Sequence, residues 1–173
     1  NVHFWGYPAL KHIDAKYFHE YILAFHRKAL PKVSIETFCI MREPIEWLHS
    51  WYKYRSRDEL KEAAHPFRRN YTGDISFNQF VDSYLAGDDA PSYAKVGSQA
   101  EFVRLEDGTI GVDRIFRLER MEQVSEYLTE KVGEEITFSH RNQSPPRSLA
   151  LDRSRRQRLM RYYSADYEIY ESI

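Results

Sequence analysis

Cysteine is almost absent from this chain: Cys39 is the only one in 173 residues. A single thiol excludes an internal disulfide framework and any multi-cysteine zinc site, and makes a reducing, cytoplasmic setting the default expectation. Glycine is scarce, at 7 residues, and neither G-x-G-x-x-G nor G-x-x-x-x-G-K-[ST] occurs. The common glycine-rich phosphate cradles are therefore missing from the sequence given. No apolar run approaches about 18 residues, so no membrane-spanning helix is expected. Net charge is nearly nil: 25 Lys and Arg face 26 Asp and Glu. That balance argues against a wholly basic nucleic-acid binder and against an acidic disordered tail. What remains, 42% hydrophobic and 29% charged, suits one domain with a proper core. The first residue is Asn1 rather than methionine, with no leader-like segment, and further residues are expected upstream of it in the parent protein.

The hydrophobic pattern alternates in period. Asp14 is placed to cap an amphipathic helix carrying Ala15, Tyr17, Phe18, Tyr21, Ile22, Phe25 and Leu30. Residues 35–41 form a short run rich in strand formers, which predicts a buried strand of a parallel sheet. Pro44 suits a first helical position, and Ile45, Leu48, Trp51 and Tyr52 predict a helix running to about Lys61. Ser76 caps the next, and Gln99 to Leu105 reads as another. Residues 112–118 are the second strand candidate, followed by a helix stripe of Val124, Leu128 and Val132 closed by Gly133. Residues 142–147 read as an extended linker, and Asp152 caps a final helix with a kink before Tyr167. Strands alternating with helices predict a helix-rich α/β domain with a small parallel sheet.

The window from Thr37 to Tyr54 carries the most chemistry. A strand running directly into a helix puts Arg42 at the carboxyl edge of the sheet, beside helix amides and a positive dipole end that favour an anion. A guanidinium there can hold phosphate oxygens bidentately, and Ser50, two turns along, can donate a hydroxyl. The same residues also suit a strand-end ion pair and a surface serine. Phe38-Cys39-Ile40-Met41-Arg42-Glu43-Pro44, with Ser50 eight residues after the Arg and then Tyr52, resembles the 3′-phosphate-binding strand and helix of the sulfotransferases. Those enzymes use 3′-phosphoadenosine 5′-phosphosulfate as donor, and the resemblance implies that Arg42 and Ser50 contact its 3′-phosphate. Ile115-Phe116-Arg117-Leu118-Glu119 and the helix after it are similar to the family's later strand and helix. Ser98-Gln99, Arg141-Asn142-Gln143-Ser144-Pro145 and the segment from Tyr162 to Tyr170 resemble its bacterial and carbohydrate-directed branch. The resemblance extends from Leu10 to Tyr170 and implies one domain over 1–173 with a P-loop-kinase-like, three-layer fold.

Two departures qualify that resemblance. The lysine-bearing loop that cradles the 5′-phosphosulfate is not in the sequence, so the first strand and that loop are expected before Asn1. A Tyr often precedes the Glu of the later strand and holds adenine, but here that position is Leu118. Sulfuryl transfer needs a base for the acceptor proton and cations for the leaving phosphate. The adjacent Lys11-His12 pair is the candidate, resembling a Lys-x-His stretch of soluble sulfotransferases; His12 equally suits a loop residue before the Asp14 cap. Glu43 is the alternative base and also suits a helix first turn. The histidines show no zinc spacing and no metal is expected. Cys39 reads as a small core residue, and Trp47, Trp51 and Tyr54 as a core-facing stripe.

Charge is unevenly spread. Residues 140–161 hold seven Arg against Asp152 alone, a net of +6, and the remainder carries −7. This segment suits a solvated helix face, while Arg141 and Arg147 in the linker are candidates to close over the nucleotide phosphates. The partners expected are the nucleotide donor and a hydroxyl acceptor, a carbohydrate being one candidate, and no membrane; a nucleic-acid or protein partner on the basic C-terminal helix is a third reading, which lacks interleaved aromatics or a known motif. The alternative is a non-catalytic nucleotide-binding or interaction protein that keeps the same fold.

Overall fold

The computed structural model describes residues 13–139 and 146–173. Helical turns α1 (Ala15–Tyr17) and α2 (Ala24–Ala29) flank a π-helical stretch, Phe18–Leu23. Then come β1 (Phe38–Met41), α3 (Pro44–Tyr54), α4 (Phe77–Tyr84), α5 (Gln99–Val103), β2 (Arg114–Arg117), α6 (Met121–Val132), α7 (Arg153–Tyr162) and α8 (Ser164–Glu171). β1 and β2 pair in parallel, Phe38 opposite Arg114 and Met41 opposite Arg117. The helix-rich α/β class with a small parallel sheet is therefore what the chain adopts. No helix among the described residues is long and apolar enough to cross a membrane.

Local chemistry sets the boundaries. Asp14 accepts from the Tyr17 N–H at 2.9 Å and Asp152 from that of Arg155 at 2.8 Å, as their N-cap positions require. Ser76 and Gln79 form a reciprocal capping box on α4. Ser76→Ala is expected to cost about 1 kcal/mol in urea unfolding, because one α4 amide then loses its acceptor. Gly133 closes α6 at φ 78°, the left-handed conformation glycine adopts without a Cβ clash.

Two boundaries and two burial patterns differ from the sequence expectation. The strand predicted over 35–41 starts only at Phe38, because the Asp113 carboxylate takes both the Thr37 N–H and its hydroxyl at 2.7 Å. Nor is it buried on both faces: Phe38 and Ile40 are 38% and 40% exposed, while Met41 is 2%. The helix predicted to reach Lys61 stops at Tyr54. There the Thr72 hydroxyl donates to the Tyr52 carbonyl at 2.7 Å, its N–H donates to that of Arg55 at 3.0 Å, and the buried Arg55 guanidinium donates to the Ser92 and Tyr93 carbonyls. On the first helical segment, Tyr17, Tyr21 and Phe25 lie exposed rather than forming a core face.

Two apolar clusters organise the interior. The larger joins Ile45, Leu48 and Tyr52 of α3 to Phe77, Phe80, Val81 and Tyr84 of α4 and to Leu159 and Tyr163. Trp47 and Trp51 pack against it, whereas Tyr54 is exposed. The smaller sets Met41 against Ala100 and Val103 of α5 and Ile169 of α8. α8 thus packs under the carboxyl end of β1, where strand gives way to helix.

Candidate functional site

The carboxyl edge of the two parallel strands gathers polar groups from four elements. β1 delivers Arg42 directly after Met41, and Glu43 caps α3 by accepting the Glu46 N–H at 2.8 Å. β2 delivers Arg117 and, just beyond it, Glu119, which accepts the Glu43 N–H at 3.4 Å. From α8, the Tyr167 hydroxyl donates to the Glu43 carboxylate, and that of Tyr170 to Glu119 at 3.1 Å. Arg117 donates to the Tyr170 carbonyl at 2.7 Å and lies 4.4 Å over its ring. Burial, with the carboxylates beside them, holds both tyrosine hydroxyls above their usual range, so they are donors at neutral pH.

The helix start is therefore served by the chain's own carboxylate rather than left open for an anion. Positive charge comes instead from Arg42. Its backbone is fixed on both sides by Gln99: the Arg42 N–H donates to Oε1 at 2.9 Å, and Nε2 donates to the Arg42 carbonyl at 2.8 Å. Its half-buried guanidinium makes no hydrogen bond or ion pair among the described residues. Ser50, on the same strand–helix unit, is half-buried and its hydroxyl is likewise unpartnered among them. A fixed backbone carrying an unspent fork of donors is suited to an oxyanion.

The other sequence candidates fall elsewhere. Lys11, His12 and Arg141 lie outside the described residues. Arg147 donates to the carbonyls of Gly73 and Ile75, each at 3.2 Å, and lies 4.7 Å over the Tyr52 ring. In this arrangement it straps the 146–151 segment to the loop before α4. The basic helix is partly neutralised, since Arg155 pairs with Asp82 and Asp152 and Arg158 with Asp82. Arg153, Arg156 and Arg161 remain exposed. Burial pushes the Cys39 thiol up to about 11, which makes it a poor nucleophile. His19 meets the Gly111 carbonyl at 2.8 Å, beside a cavity of about 250 Å³ that His26, Arg27 and Asp113 also line.

His49, beside Ser50, is buried in an aromatic setting, its ring 4.9 Å from that of Phe77. Its Nε2 has no hydrogen-bond partner among the described residues. Burial first, then the charges of Lys53 and Arg147, hold its pKa down at about 4, and the backbone of Ser148 and Arg147 offsets this in part. Nδ1 lies 3.9 Å from Glu46.

Sequence reasoning missed Gln99, Asp166, Tyr167 and Tyr170 as parts of this edge. For the three on α8 the signal was available as polar groups at adjacent and four-residue spacings, but which edge that helix meets, and that Gln99 of α5 meets it too, are tertiary facts. A scan against protein-family models and searches of curated proteins and of solved structures return no match to this chain.

Proposed function

We propose that this chain is the main body of a sulfotransferase that takes a sulfuryl group from 3′-phosphoadenosine 5′-phosphosulfate to a hydroxyl acceptor. The observation that carries this reading is Arg42: it sits at the carboxyl edge of a parallel strand pair, its backbone fixed and its guanidinium unspent among the described residues. Open α/β sheets receive their ligands at that edge. Arg42 and Ser50 would bind the 3′-phosphate. The parallel β1–β2 pair supports a P-loop-kinase-like fold.

In the reaction, the acceptor oxygen attacks sulfur, the bond between sulfur and the 5′-phosphate oxygen breaks, and 3′-phosphoadenosine 5′-phosphate leaves. The acceptor proton passes to a base, for which His12 is the candidate, with Lys11 absorbing charge on the leaving phosphate. Thermal unfolding with 3′-phosphoadenosine 5′-phosphate and with ATP tests the reading. The bisphosphate is expected to raise Tm and ATP to do so far less. Equal shifts, or none with the bisphosphate, overturn it.

A further inference from the structure

β1 ends at Met41, and among the described residues no strand pairs with the next peptide. Gln99 supplies its hydrogen bonds through one side chain. The amide is the neutral group that offers an acceptor and a donor in the separation an extended residue presents, and here both bonds to Arg42 are formed. Gln99 is itself held. Its N–H and that of Ala100 both donate to Asp166 Oδ1, at 2.9 and 3.2 Å. Gln99 is 9% exposed and Asp166 2%, so the bonds to Asp166 are shielded from bulk water and those to Arg42 partly so. A chain of contacts thus runs from α8 through the start of α5 to the backbone of Arg42.

The division of labour within Arg42 is informative. Its main chain is bound at both polar atoms, and its side chain is bound to none of the described residues. Ordering a ligand-binding arginine before the ligand arrives removes part of the entropy cost that binding would otherwise carry.

We infer that Gln99 is a positioning residue for the anion site, fixing the Arg42 backbone so that its guanidinium meets the nucleotide 3′-phosphate preorganised. This rests on the nucleotide reading above. The test compares 3′-phosphoadenosine 5′-phosphate with adenosine 5′-monophosphate, which lacks the 3′-phosphate, by calorimetric titration of the parent, Gln99→Met, Arg42→Ala and the double variant. Gln99→Met is expected to weaken the bisphosphate about tenfold and to leave the monophosphate unchanged. In the Arg42→Ala background the same substitution is expected to add nothing, because its effect passes through the guanidinium. If Gln99→Met does not fold, Gln99→Glu serves in its place, since it keeps the acceptor for the Arg42 N–H and loses the donor to the carbonyl. An equal loss for both nucleotides, an unchanged preference, or the same loss without Arg42 overturns the positioning role. A parent that does not prefer the bisphosphate overturns the nucleotide reading itself and takes this inference with it.

Discussion

Replacing Arg42 by alanine is expected to erase the stabilisation that 3′-phosphoadenosine 5′-phosphate confers. At about 100 times the dissociation constant, a ligand that binds only the folded state adds about 2.7 kcal/mol. For a chain of this size each kcal/mol moves Tm by about 2–4 °C, so the parent should melt about 5–10 °C higher with the nucleotide. The variant should show almost none of that. The expectation is sharp because the guanidinium has no partner among the described residues. Without ligand, truncating it should change stability by no more than about 0.5 kcal/mol, as for other substitutions that break no bond. Arg42→Lys should recover only part of the shift, since an ammonium keeps the charge and loses the two-pronged geometry. A variant that melts early without ligand, or that keeps the full ligand shift, would assign Arg42 to the structure of the sheet edge instead.

Acid is expected to destabilise the fold through His49. Its folded pKa of about 4 lies below the unperturbed 6.5, so between those values the unfolded chain binds a proton that the folded one refuses. Stability from this group is therefore complete above about pH 6.5, falls as the pH drops, and levels off near pH 4, with a total of about 3 kcal/mol. The cause is geometric: the ring lies among Tyr52 and Phe77 with Nε2 unpartnered among the described residues, while Lys53 and Arg147 oppose its charge and Glu46 stands 3.9 Å from Nδ1. His49→Phe removes the titrating group and keeps an aromatic ring at that place. Urea unfolding of both proteins at pH 7.5 and 4.5 isolates the effect, and the parent should lose about 2–3 kcal/mol more than the variant. Equal losses would mean that carboxylates elsewhere govern the acid sensitivity.

Residues whose role is set by near neighbours were legible in the sequence. Asp14, Ser76, Asp152 and Gly133 cap helices as their spacing predicts, because capping needs only a few consecutive residues. The β1–Arg42–α3 unit was legible for the same reason, with Pro44 at the helix start. What was not legible depends on distant partners. Arg147, read as a phosphate ligand, is engaged by carbonyls of Gly73 and Ile75, residues more than seventy positions away. The aromatic stripe on residues 15–29 has the period of a buried face, yet period alone does not say whether a neighbour covers it. Asp166 and Gln99 look like ordinary helix-terminal polar residues until α8 is packed under β1, where a buried carboxylate finds two amides and an amide finds a strand end.

The central claim is that a nucleotide 3′-phosphate rests on Arg42. Phosphorus NMR of 3′-phosphoadenosine 5′-phosphate titrated with the protein observes that contact at the atom concerned, because the 3′ and 5′ phosphates give separate signals. The 3′ signal is expected to move on addition of the parent and to stay at its free position on addition of Arg42→Ala. A 3′ signal that never moves, or that moves equally with both proteins, would contradict the account.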